Sequence, residues 1–191
     1  MRQGDSPQQM MTWLAANIPS PQIRQFGAVK FSYPSAAFTG TGCTDYKGHI
    51  VGPNYTIHGN ILLGQHVLDS MEARFNRETG DLACKLMAAM QGAKMQGADT
   101  RCHNNNSSSL FAFLKVALPA DTFGKPSFLV SLRTQMGDSI EPVDSLQALF
   151  DLAHSCPQPT ITALTGRAPE SLHIYPNPAG TKFVIEGPAG T

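Results

Sequence analysis

The alternation of apolar and polar positions predicts four helices, each with one apolar face. The first begins at Ser6, because Ser6-Pro7-Gln8-Gln9 has the order of a capping box with proline at the first helical position. Met10 and Leu14 continue it at helical spacing, and Pro19 ends it. Three further helices show the same apolar periodicity, over residues 65–77, 82–96 and 143–154.

Shorter apolar runs between turn-forming residues predict the strands. These runs cover residues 25–31, 36–41, about 55–62, 110–118 and 126–133. Strands that are neighbours in sequence pair locally and helices come in groups, so the order favours an α+β fold with antiparallel strands.

The span 39–63 combines five glycines, a cysteine, two histidines and two asparagines before it ends in a predicted strand. Glycine is used where the backbone takes positive φ or approaches another group closely. This composition is typical of a place where chain and ligand meet, so we interpret the span as one wall of a binding site.

Composition narrows the class of protein. The chain has 191 residues, of which 15% are charged, and its 14 basic residues balance its 14 acidic residues. A neutral chain without a basic run argues against nucleic acid or an anionic membrane as the partner. No apolar run is long enough for a membrane helix. The low charge, 17 glycines and 14 prolines favour an exported protein.

The four cysteines have no C-x-x-C spacing, so a zinc ribbon or a thioredoxin motif is not predicted. In an exported chain they permit up to two disulfides, in three pairings. Four buried free thiols are the alternative, and the residues alone do not decide between them.

Two runs of residues carry a family resemblance. The order G-C-x-x-Y-x-G-H-x-x-G-x-x-Y-x-x-H-G-N-I-L-x-G over 42–64, followed by V-L-D-S-M-E-x-x-F and G-A-D-T-R, resembles the bacterial family called domain of unknown function 1028. The resemblance covers about residues 2–156. Tyr46, His58 and Cys102 depart from the residues that this family often has there, which affects the polarity of a pocket.

That family is similar to the N-terminal-nucleophile hydrolases, so the resemblance implies an α-β-β-α sandwich. In such enzymes the first residue of the processed chain, Thr, Ser or Cys, attacks an amide. Met1 has neither a hydroxyl nor a thiol. We therefore expect the sandwich to lack its first strands in this sequence, and the nucleophile to lie outside it.

Five residues are the candidate substrate-binding residues. His58, Gly59 and Asn60 form a pocket element, since the asparagine donates and accepts while the glycine admits close backbone approach. The alternative is a turn with a glycine bulge. Asp99 and Arg101 bind a substrate carboxylate through the guanidinium fork, or else form a local surface ion pair.

Other chemistry is disfavoured. His49, His58, His66 and Cys43 lack the spacing of a tight ligand pair, so no metal and no cofactor are predicted. Cys43 has no assigned base beside it. The serines at 107–109 lack a G-x-S-x-G elbow, so a serine triad is not expected.

The chain changes character after Cys156. Residues 157–171 are rich in proline and threonine and predict a linker between the hydrolase-like domain, 1–156, and a tail, 172–191. Within the tail, I-Y-P-N-P-A followed by a strand-like run resembles the start of a type IX secretion sorting domain. The alternative is a proline turn before a strand. The resemblance implies export to the outer-membrane surface or medium of a Gram-negative bacterium, with the secretion machinery as a partner.

Two functions follow as hypotheses. The first is an exported amidohydrolase acting on a small amide or peptide-like substrate, without its nucleophile segment here. The second is a non-catalytic surface protein that uses the same fold for ligand binding or structure. Homo-oligomer formation is compatible with both.

Overall fold

The computed structural model describes residues 4–122, 124–133, 140–157, 173–176 and 183–186. The first helix, α1 (Pro7–Asn17), begins as predicted. The Ser6 hydroxyl accepts a hydrogen bond from the Gln9 backbone N–H, and the Gln9 side chain accepts one from the Ser6 N–H. These two bonds satisfy amide groups that have no partner within the helix.

Two antiparallel hairpins follow. The first pairs β1 (Gln25–Ala28) with β2 (Ala36–Thr39), and the second pairs β3 (Gly48–Val51) with β4 (Thr56–Gly59). The strand β3 is missing from the sequence prediction, which placed only one strand in this span. Glycine-rich segments have weak strand propensity, so pattern alone does not detect a strand that begins with Gly48 and pairs it with Gly59.

The two hairpins contact each other, and each packs against one helix. The helix α1 packs against β1 and β2, while α2 (Gln65–Arg77) packs against β3 and β4. Side chains alternate along β4, so His58 faces β1 while the buried Ile57 faces the other side. The bounds of α2 match the prediction.

The remaining elements build the apolar core. They are α3 (Leu82–Ala93), the antiparallel pair β5 (Phe111–Val116) and β6 (Phe128–Arg133), and α4 (Pro142–Ala153). Alternate residues of β5 are buried beneath the two helices. The core cluster consists of Ala83, Cys84, Met87, Ala112, Leu114, Val143, Leu146 and Phe150.

One disulfide joins Cys84 of α3 to Cys156, just after α4. Cys43 and Cys102 are free and buried. One disulfide lies within the alternative of up to two, and the alternative of four buried free thiols is wrong. The closed loop spans 72 residues. By loop-closure entropy, a crosslink of that length stabilises the fold by about 4 kcal/mol.

The chain divides into two compact units, Met1–Pro157 and Gln158–Thr191. In the second, β7 (His173–Pro176) pairs antiparallel with β8 (Phe183–Glu186). The predicted linker lies, from residue 158 onward, outside the described residues. The mixed α+β class is confirmed. None of the helices in the described part combines the length and apolarity needed to cross a membrane.

Candidate functional site

A short extended segment, residues 98–100, is hydrogen-bonded on one side to the residues that follow β4 and on the other side to the residues that precede β5. The Thr100 N–H donates to the Ile61 carbonyl at 2.9 Å, and the Asp99 N–H donates to the Ser108 carbonyl at 3.0 Å. The segment therefore holds the predicted site residues of β4 beside the polar stretch that precedes β5.

A cavity of about 160 Å³ lies against this segment. Its wall is mostly apolar, with four residues that carry polar side chains. The lining residues are His58, Leu62, Val67, Leu68, Met71, Met90, Ala93, Ala98, Asp99, Ser108, Ser109, Phe111 and Val143. An apolar wall with a few polar groups is the usual composition of a small-molecule site.

His58 is one of two predicted site residues in this wall. Its ring packs against Gly27 of β1, and both of its ring nitrogens are buried without a hydrogen-bond partner. Burial lowers the pKa of His58, and the nearby His49, with ring centroids 6.0 Å apart, lowers it further. His58 is therefore neutral at neutral pH.

The serines at 108 and 109 are site residues that sequence reasoning missed. The Ser109 hydroxyl is buried without a hydrogen-bond partner. The Ser108 hydroxyl donates to Glu141 at 2.6 Å, and the Ser108 N–H donates to the same carboxylate at 2.7 Å. The signal for this anchor was the acidic residue immediately before Pro142, because Glu141 also caps α4 through the Val143 N–H.

Asp99 is the second predicted residue in the cavity wall, and it binds Arg101. The Arg101 Nε and Nη2 atoms lie 2.9 and 2.5 Å from the Asp99 carboxylate oxygens. These hydrogen bonds hold the pKa of Asp99 below its ordinary value. The Arg101 side chain is 61% exposed and does not line the cavity. A ligand carboxylate would compete with Asp99 for the guanidinium fork.

Gly59 and Asn60 belong to a polar network between the two hairpins. The Asn60 amide donates to Gln25 Oε1 at 2.9 Å. Gln25 Nε2 in turn donates to the Gly59 and Gly48 carbonyls and to Thr39 Oγ1, at 2.9–3.0 Å. Neither Gly59 nor Asn60 lines the cavity. Gln25 was missed because a single glutamine in a strand gives no pattern.

The surroundings of the two free cysteines, Cys43 and Cys102, favour a structural role for both. Cys102 is fully buried, and burial, with Asp99 nearby, raises the pKa of its thiol. Its thiolate is therefore scarce at neutral pH, which disfavours a nucleophilic role. The Cys43 thiol points to the Arg24 carbonyl at 3.6 Å.

Backbone strain occurs where β4 leaves the hairpin. Ile61 has φ of 59°, in the left-handed region that β-branched residues rarely occupy. Its N–H donates to the Thr44 carbonyl, and its own carbonyl accepts from Thr100. Strained residues of this kind are concentrated at functional sites.

The fold and cavity define a mixed α+β domain with a small, largely apolar cavity. Residues 1–146 match a family described as "family of unknown function (DUF1028)". The chain belongs to this family, as the sequence resemblance indicated.

A crystal structure from the same family has a similar fold. Protein SPO2555 from Silicibacter pomeroyi superposes with a TM-score of 0.61 at 21% sequence identity. The alignment covers 80% of this chain and 62% of that one, so this chain spans less than two thirds of its relative. At that identity the likeness concerns the fold alone. No curated protein matches the chain significantly.

Proposed function

We propose that the protein binds a small amide or peptide-like molecule in the cavity lined by His58, Asp99 and Ser109. The observation that carries this proposal is the buried polar atoms without partners on two of these residues, the ring nitrogens of His58 and the hydroxyl of Ser109. Buried polar atoms are nearly always hydrogen-bonded in folded proteins. A ligand that both donates and accepts, as an amide does, would satisfy such atoms.

The size of the cavity limits the ligand. A cavity of about 150 Å³ accommodates a molecule the size of benzene. The 160 Å³ here therefore suits about six non-hydrogen atoms, such as propanamide or alaninamide. Of a longer peptide, only one terminal amide group would fit in the cavity.

Binding is tested by nuclear magnetic resonance titration with propanamide and its isostere 2-butanone. The ketone has the same shape without the N–H donors. We expect propanamide to shift signals from cavity residues at millimolar concentration and to bind at least about tenfold more tightly than the ketone, because each unmade buried hydrogen bond costs about 1–3 kcal/mol.

Two serine variants test whether the amide binds in the cavity or on the surface. Ser109→Ala should remove most of the preference for the amide. Ser127→Ala, at an exposed serine bonded to Asp121, should preserve it. Equal binding of amide and ketone by the unmodified protein, or signal shifts away from the cavity, would contradict the proposal.

Hydrolysis of such an amide is the second candidate function, and the neutral His58 favours it. A neutral imidazole can accept a proton from an attacking group. The layer order, with α1 outside β1–β2 and α2 outside β3–β4, supports the α-β-β-α sandwich of the N-terminal-nucleophile hydrolases.

Because the chain spans only part of its relative, turnover is tested in the complete protein. His58→Gln and Ser109→Ala, which alter side chains of the cavity wall, should abolish release of ammonia or amine from small amides while the folded state is retained. Unchanged turnover would exclude these residues from the site. Absence of turnover by the unmodified protein, with amide binding retained, would support the non-catalytic alternative.

Export through the type IX pathway is proposed for the second unit. The hexapeptide I-Y-P-N-P-A at 174–179 and the β7–β8 pair support it. Deletion from Leu172 onward should leave the protein in the periplasm, as measured by cell fractionation. Continued secretion of the shortened chain would reject the proposal.

A further inference from the structure

A cluster of metal-ligand side chains lies at the junction of α3 and α4, outside the candidate cavity. The two sulfurs of Cys84 and Cys156 and a ring nitrogen of His154 all lie within 4.8 Å of one another. No local sequence pattern marks this cluster, because Cys84 lies about 70 positions before the other two residues, whose own spacing is His-x-Cys.

His154 is held in this position by its surroundings. Its ring packs against Phe150 and Phe128, with centroids 5.3 and 5.8 Å away. Its Nε2 atom lies 2.9 Å from Asp81 Oδ2, at the distance of an ion pair. The carboxylate therefore orients the imidazole, as the carboxylate partners of metal-binding histidines do.

Asp81 lies beside His154 and bonds to it and to the start of α3. Its Oδ1 accepts from the Cys84 N–H at 3.0 Å and so caps α3. Its Oδ2 faces His154. Two sulfurs and one ring nitrogen therefore lie close together, and Asp81 holds the imidazole beside them.

We propose that reduction of the Cys84–Cys156 disulfide converts this junction into a zinc site with Cys84, Cys156 and His154 as the protein ligands, water as the fourth ligand, and Asp81 positioning the imidazole. Zinc is commonly four-coordinate and takes thiolate, imidazole and water ligands. The disulfide and the zinc ion are then two alternative crosslinks between α3 and the end of α4.

A dithiol reductant transfers two electrons and two protons to the disulfide, which breaks the S–S bond, gives two thiols and oxidises the reductant to its own disulfide. Zinc then displaces one proton from each thiol, and both protons pass to the solvent. In an oxidising compartment the disulfide persists, and in a reducing one the metal form replaces it.

The test uses the whole chain with Co²⁺ as a spectroscopic substitute for zinc. After reduction with a phosphine, we expect one Co²⁺ per chain, with the absorption of a tetrahedral ion and a thiolate charge-transfer band, and displacement by Zn²⁺. The oxidised protein should show neither band. Zinc should also raise the melting temperature of the reduced protein.

Three variants locate the site. Cys156→Ser should abolish the charge-transfer spectrum of a two-thiolate site, whereas Cys43→Ser/Cys102→Ser should retain the full spectrum. Asp81→Asn preserves the α3 cap, because asparagine caps helices as well as aspartate, and it should weaken Co²⁺ binding by at least about tenfold. Its folding can be verified in the oxidised form before reduction.

The proposal fails if the reduced protein gives no thiolate band. It also fails if the band survives in Cys156→Ser or is lost in Cys43→Ser/Cys102→Ser. Affinity in both Asp81→Asn and His154→Ala equal to that of the unmodified chain would show that two thiols of a loosened chain bind the ion without the proposed geometry.

Discussion

The larger unit has two interiors of different composition, one lined by apolar side chains and one by polar side chains. Between α3, α4 and β5–β6, the buried side chains are apolar and the cluster ends at a disulfide. Between the hairpins β1–β2 and β3–β4, the facing side chains are Gln25, Thr39, His49 and His58. The apolar interior provides stability that does not depend on pH. Burial of polar side chains stabilises the fold less than burial of apolar ones. The polar interior instead holds titratable and hydrogen-bonding groups in fixed positions, which a binding site requires.

The largest expected effect comes from breaking the apolar interior. Phe150 is 1% exposed and contacts the core from α4. Phe150→Ala should destabilise the protein by about 3–5 kcal/mol, because it removes apolar contacts and leaves a cavity. Leu152→Ala is the matched control, since Leu152 lies on the same helix and is 86% exposed. Denaturant unfolding measures both, and a similar cost for the two variants would contradict this assignment of the core.

A smaller effect is expected at the contact between the hairpins. An alanine Cβ at position 27 would lie closer than 3.0 Å to His58 Nε2 and Thr56 Oγ1. Gly27→Ala should therefore cost about 1–3 kcal/mol through overpacking. His58→Ala should relieve much of that cost in the double variant, as neighbouring residues couple. Strictly additive costs in urea unfolding would show that the two residues are not in contact.

The smallest effect is a dependence on pH that belongs to the polar interior alone. The folded-state pKa of His58 lies below its unfolded value of about 6.5, so the unfolded chain binds the proton more readily. Its contribution to stability is full above about pH 6.5 and is lost as pH falls through the folded pKa. His58→Gln should reduce the change in melting temperature between about pH 7 and pH 5. His66→Gln, at an exposed histidine, should not reduce it. Parallel profiles for His58→Gln and the unmodified protein would contradict this.

The helices could be predicted because their patterns are local. Helix α2 has the predicted bounds, and α1, α3 and α4 begin at or next to their capping residues, Ser6, Asp81 and Glu141. Periodicity and capping depend on residues within a few positions of each other. The family was also recognisable, because its motifs are contiguous runs.

The polar interior could be predicted only in part. His58 and Asp99 were expected in one site and do line one cavity. The partners that define their surroundings, Gly27, Gln25 and Ser109, come from other segments, and no local pattern marks them. The strand β3 was missed for the same reason, since its pairing with β4 depends on glycines that favour no particular element.

The disulfide described above has a consequence for proteolysis. A single cut in the backbone between Cys84 and Cys156 would leave both fragments joined by the sulfur bridge. Such a nicked molecule would migrate as one species in electrophoresis without reductant and as two with it. Trimming by proteases in an oxidising environment could thus pass unnoticed, since the severed chain would keep α3 tethered to the end of α4.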